Sequence, residues 1–225
     1  MKLLALDTAT ENCSAALWVD GQLREREFES PRGHAEHLLP MIDALLAEAG
    51  LALSALDALA FGRGPGSFTG VRLAASLAQG LAFGAGLGVV AVSDLRALAQ
   101  RALDLEPGCR AVRVCNDARM GEVYWADYTT SEGLAQATGA EQVGPPAQLT
   151  RAPAGALGVG RGFAVYPQLA ACSAVTVPSG WERLLPRAAD IVHLALPAVR
   201  RGALLSPEQA LPIYVRDRVA QPSSV

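Results

Sequence analysis

Three groups of residues have types and spacings suited to chemistry. The first is Asp7-Thr8-Ala9-Thr10, a turn between two strand-like runs. A carboxylate and two hydroxyls at such a turn can orient metal-bound water and hold phosphate oxygens, together with the turn's N–H groups. A hairpin turn closed by Asp and Thr side chains accounts for the same residues and is the plainer reading. The second group is the loop Gly62-Arg63-Gly64-Pro65-Gly66-Ser67-Phe68-Thr69-Gly70. Its glycines permit close backbone approach, and Ser67 or Thr69 can cap a following helix whose N-terminus attracts anions. It is not a phosphate-binding Gly-Lys-Ser/Thr loop, because the only lysine in the chain is Lys2. A rigid crossover packed through small residues fits it equally well. The third group, His34 and His37, has helical i, i+3 spacing that suits metal ligation, but the remaining histidine, His193, is remote and no third ligand is evident. A helix-end or interface role is favoured for this pair.

Several elements must position these groups. Leu3–Leu6, Cys13–Val19 and Gln22–Glu29 form a three-strand meander turning at Asp20-Gly21. His34–Ala49 places Leu38, Met41, Ile42, Leu45 and Leu46 at helical spacing. A strand over Leu56–Gly62 feeds the glycine loop, Val71–Phe83 is an Ala-rich helix, Gly88–Val92 is a strand, and Ser93 caps a helix from Asp94. This order predicts a mixed sheet with helices packed on it. Beyond Glu106-Pro107-Gly108 the pattern weakly repeats, Val112–Asp117 and Trp125 echoing Leu3–Asp7 and Trp18. The expected division is 1–105 and 106–225, with a helix near Arg187–Arg200 free to pack back on the first lobe. Residues 131–155 are expected to be loop, and Ala174–Val177 a strand.

At 225 residues, 51% hydrophobic and 18% charged, the chain has the means to bury a core. Its net charge of −3 lacks the basic excess of a protein that grips RNA through phosphates, so protein partners are expected and contact with RNA is expected to be indirect at most. Cys13, Cys109, Cys115 and Cys172 show no metal or disulfide spacing. The start lacks a signal segment and residues 71–92 are interrupted by Arg72, Gln79 and glycines, so the expectation is a cytoplasmic protein without a membrane span. Along the second helix Gly70, Ala74, Ala78 and Ala82 recur every four residues, a smooth ridge suited to close helix packing, within the chain or against a partner.

The segments Met1–Thr10, His34–Pro40, Gly64–Arg72, Asp117–Tyr124 and Pro212–Arg216, in this spacing, resemble the TsaB (YeaZ) family. The resemblance implies an α/β, actin/Hsp70-like (ASKHA) fold of two related lobes, and a non-catalytic subunit that activates a TsaD-like enzyme. That enzyme transfers threonylcarbamoyl to the adenosine beside the tRNA anticodon, with a TsaE-like ATPase as a further partner. The resemblance also implies that ATP or ADP and the metal are held by partner subunits, and that the lone chain forms a homodimer. TsaD-like sequences carry two metal-binding histidines after the strand that here ends in Ala91-Val92-Ser93-Asp94, and this chain has none there. The implied partner face is built from the two first-lobe helices. The residues expected to form it are His34, His37, Leu38, Met41, Leu45, Gly70, Ala74, Leu77, Ala78 and Leu81. Asp7, Thr8 and Thr10 are left as a vestigial nucleotide turn. The alternative is a stand-alone ATP-binding phosphotransferase or hydrolase of the actin/kinase fold that uses Asp7.

Overall fold

The computed structural model describes residues 1–30 and 32–216. The chain opens with strands β1 (Lys2–Asp7), β2 (Asn12–Val19) and β3 (Gln22–Glu29). Asp20 and Gly21 both take positive φ between the last two, the backbone that a tight Asp-Gly hairpin requires. Helix α1 (His34–Ala49) leads to β4 (Ala58–Gly62), and α2 (Phe68–Ala85) to β5 (Gly88–Val92). The sheet order is β3-β2-β1-β4-β5, antiparallel in the meander and parallel from β1 through β5.

Helix α3 (Asp94–Leu105) enters the second lobe, capped by Ser93, whose hydroxyl accepts from Arg96 N at 3.1 Å. Strands β6 (Ala111–Arg119), β7 (Glu122–Ser131), β8 (Leu134–Ala137), β9 (Gln142–Gly144) and β10 (Leu157–Val159) form its sheet. The order is β10-β6-β7-β8, with β9 also paired to β7. Because β10 runs parallel to β6 as β4 does to β1, the order 3-2-1-4 of the first sheet recurs as 8-7-6-10. The faint sequence echo therefore marks a repeated topology. Short helices α4 (Gly162–Val165) and α5 (Leu169–Ser173) precede α6 (Ala188–Arg200). Two related mixed sheets with helices on their faces make this the two-lobed, actin/Hsp70-like α/β fold.

Two local expectations fail. Residues 131–155 contain β8, which turns back on β7 through a tight Glu132-Gly133 hairpin with both residues at positive φ, and β9, which pairs further back along β7. Over 174–177 only Thr176 bridges, to Leu157, and no named strand forms.

Side-chain alternation sets the layers, since successive strand residues face opposite sides. In β1, Leu3 and Ala5 enter the core between the sheets, while Leu4 and Leu6 face α1 and α2; Ala58 and Ala60 against Leu59 and Phe61 repeat this in β4. The inter-sheet core holds α3 and α6. Helix α3 lies on β6, β7 and β8, whereas α6 lies on β1, β2, β4 and β5, so each lobe's sheet is covered by a helix from the other half of the chain. Cys13, Cys109 and Cys115 are buried thiols, and Cys172 is exposed. Among the described residues no helix is long and apolar enough to cross a membrane.

Candidate functional site

The first turn and the glycine loop are locked together by backbone contact. Asp7 and Thr8 are fully buried, and the Thr8 hydroxyl donates to the Gly70 carbonyl at 2.6 Å. Ser67 N donates to the Ala9 carbonyl at 2.7 Å. A Cβ at Gly66 would overlap the Ala9 carbonyl, and one at Gly70 the Thr8 carbonyl. The glycines are thus needed for close approach of two backbones, which is the packing explanation of the loop. Asp7 Oδ1 accepts from Ala9 N at 2.8 Å, and half-buried Thr10 accepts from Asn12 N at 3.2 Å, so the Thr10 hydroxyl and one oxygen of the Asp7 carboxylate serve the turn itself. Burial raises the Asp7 carboxyl above its ordinary range and raises Asp94 well above it, with the Asp7 charge the next contributor for Asp94.

Outside this lock an open cleft of about 1150 Å³ separates the lobes, lined among others by Thr10, Ser67, Asn116, Arg119 and Tyr214. Glu11 of the first lobe spans it, pairing with Arg161 at 2.9 Å and Arg119 at 3.2 Å. The 211–216 segment straps its side: Ile213 N donates to the Arg63 carbonyl at 2.8 Å, and Arg216 pairs with Glu122 and donates to the Ala118 carbonyl. Glu141 of the second lobe meets Arg63 at 3.3 Å and accepts from the Ser93 hydroxyl. These clasps lie far apart in the chain, and no local pattern announces them.

The partner face needs correction. Leu38, Leu45, Gly70, Ala74 and Ala78 are all buried within the chain, packed or wedged against the first sheet. The ridge Gly70-Ala74-Ala78-Ala82 lets α2 lie close on its own sheet, so it is not a surface for another molecule. A stripe of small residues does not say which side of a helix it occupies. Met41, Leu77 and Leu81 are half-buried at the edge of this core. His34 and His37 are also half-buried and hold no metal cluster among the described residues: a ring nitrogen of His34 sits 2.8 Å from the Ser30 carbonyl, and His37 packs on Phe28 with centroids 4.0 Å apart.

The solvent side of α2 carries instead Ser76, Gly80, Phe83 and Gly84, beside Leu77 and Leu81, and Leu39 is exposed on α1. Phe83 is 81% exposed and Leu39 40%. Nothing lies within 4 Å of where a Cβ would stand on Gly80 or Gly84. The sequence does contain this signal. Two glycines inside a helix cost about 1 kcal/mol each relative to Ala, and neither the turn geometry nor the packing of this chain requires them.

Comparison with known proteins places the chain. Residues 28–177 match the family model described as TsaD, tRNA N6-adenosine threonylcarbamoyltransferase. The chain is 41% identical to the tRNA threonylcarbamoyladenosine biosynthesis protein TsaB of Escherichia coli K12, over 98% of this chain and 96% of that protein. The Haemophilus influenzae TsaB is 40% identical over 97% and 95%. Among solved structures, YeaZ of Pseudomonas aeruginosa is 46% identical with a TM-score of 0.85, covering 95% of this chain and 99% of that one. A second Pseudomonas aeruginosa structure, of a protein with similarity to peptidase YEAZ, is 47% identical with a TM-score of 0.88, covering 96% and 99%. The fold, the five motif segments and near-full-length identity agree, and the chain belongs to the TsaB (YeaZ) family of tRNA threonylcarbamoyladenosine biosynthesis.

Proposed function

We propose that this chain is a non-catalytic subunit that binds a TsaD-type enzyme through the outer face of α1 and α2 and activates it for threonylcarbamoyl transfer to tRNA. The observation that carries this reading is the outer face itself: exposed Phe83 beside two glycines open to solvent on α2, with Leu39 exposed on α1. An apolar ring left in water next to a surface without side chains suits a helix that approaches closely. Alone, the chain would cover this face with a second copy. A TsaE-type ATPase completes the assembly, and nucleotide and metal belong to the partners.

Two features support a supporting rather than a catalytic role. Asp7 is sealed and hydrogen-bonded, so it does not face the cleft as a metal-orienting carboxylate would. The stretch that carries metal-binding histidines in TsaD-like sequences has Asp94 buried and Leu98 in the core. The test is size-exclusion chromatography of the chain mixed with a TsaD-type protein. Wild type should co-elute with it, and Phe83→Glu should elute separately while remaining folded. Co-elution of Phe83→Glu at wild-type affinity would remove this face from the interface.

A further inference from the structure

Asp7 closes β1 and Asp94 opens α3, yet the two acids meet beneath Gly62 at the end of β4. Both are fully buried, and a Cβ on Gly62 would collide with Oδ1 of each. Each acid places one oxygen on a backbone amide: Asp7 Oδ1 accepts from Ala9 N, and Asp94 Oδ2 accepts from Gly64 N in the glycine loop. The second oxygens, Asp7 Oδ2 and Asp94 Oδ1, receive no donor from the rest of the described chain. The charged or titratable groups around them do not fill that gap. Arg63, at the end of the β4 side, is drawn off by Glu141, His34 of α1 acts on Asp7 only through space, and burial and the Asp7 charge raise the Cys13 thiol of β2. Two carboxylates sealed from water cannot both be charged without a large cost, whereas one proton between them converts repulsion into an O–H···O hydrogen bond.

We propose that Asp7 and Asp94 share a single proton, and that this proton holds the glycine loop closed over the first turn. Asp94 carries it and donates to Asp7, while its other oxygen keeps the Gly64 amide. Loss of the proton leaves two anions in one dry space and drives Asp94 away from Asp7 and Gly64, loosening the loop that starts α2. Both carboxyls are raised in the folded chain, so the sign follows. The stability contributed by the proton is complete below the ordinary carboxylate range and is lost as pH rises through the titration of the folded pair. The pair titrates as a unit, not as two independent sites.

The test is infrared spectroscopy of the full chain at neutral pH, with Asp94→Asn and Asp7→Asn. Each Asn preserves an N–H donor and an acceptor oxygen but no shared proton. Wild type should show the C=O stretch of a protonated carboxylic acid, and each variant should lose it. The melting temperature of wild type should fall as pH rises from the ordinary carboxylate range through the titration of the folded pair, and that of Asp94→Asn should fall less. If the variants fold poorly, the wild-type carboxyl carbons in a ¹³C-aspartate-labelled sample decide alone, by showing two aspartates that titrate together above the usual range. Absence of a protonated acid at neutral pH, parallel pH profiles for wild type and Asp94→Asn, or stability that depends on added Na⁺, K⁺ or Mg²⁺ would each overturn the proposal.

Discussion

Replacing Gly80 and Gly84 by alanine separates the stability of the monomer from its docking. Both residues lie inside α2, and a Cβ at either meets nothing within 4 Å. Alanine therefore adds no clash and removes the entropy cost of glycine in a helix, about 1 kcal/mol per site at most. The double variant should be more stable by about 1–2 kcal/mol. For a chain of this size that corresponds to a rise of roughly 2–4 °C in melting temperature per kcal/mol. The assay is thermal or urea unfolding at a protein concentration low enough to suppress self-association, because a dimer would add its own stabilisation. The same two methyl groups stand on the proposed partner face, so affinity for a TsaD-type protein should fall while stability rises. A neutral or destabilising result would refute the claim that these positions are free in the monomer. A stabilised variant with unchanged affinity would refute their place in the interface.

The other predictions concern the lock, the core and the charges. Ala78→Glu buries an unpaired carboxylate against the first sheet and should destabilise by at least about 3 kcal/mol, seen as loss of cooperative unfolding. Gly70→Ala should cost about 1–3 kcal/mol, because its methyl would overlap the Thr8 carbonyl. Ser93→Ala removes the cap of α3 and should cost about 1 kcal/mol in urea unfolding. Asp190 is pushed up to about 6 by burial, which outweighs its pairing with Arg187 at 3.1 Å. Its proton-linked stability is complete below the ordinary carboxylate range and is lost as pH rises through about 6, so Asp190→Asn should lack that step in a pH series of melting temperatures.

What could be read in advance followed local rules. The apolar run Leu3–Leu6, the Asp20-Gly21 hairpin, the start of α1 at His34 and the Ser93 cap each depend on neighbours in sequence, and each is found in the structure. The repeat was visible only as two short matches, because the lobes share strand order rather than residues. Which side of α2 faces inward was not legible. Alanines every four residues fit a sheet or a partner equally, and only the positions of β4 and β5 decide. The open side was nevertheless marked by Gly80, Phe83 and Gly84, residues that a helix kept entirely for its own core has no reason to carry. Beyond local rules lie Asp7 beside Asp94 and Glu11 between Arg119 and Arg161. Those neighbours are created by folding two similar sheets around α3 and α6, and no spacing within the chain encodes them.

The central claim is activation of a TsaD-type enzyme by docking through the outer face of α1 and α2. Its most direct test is reconstituted transfer of threonylcarbamoyl to tRNA by purified TsaD-type and TsaE-type proteins, threonine, bicarbonate, ATP and the adenylate-forming enzyme. The reaction is run without this chain, with wild type, and with Phe83→Glu. Modified adenosine should form only with wild type, and Phe83→Glu should fail although its unfolding curve matches wild type within about 0.5 kcal/mol. Equal modification without the chain would contradict the account.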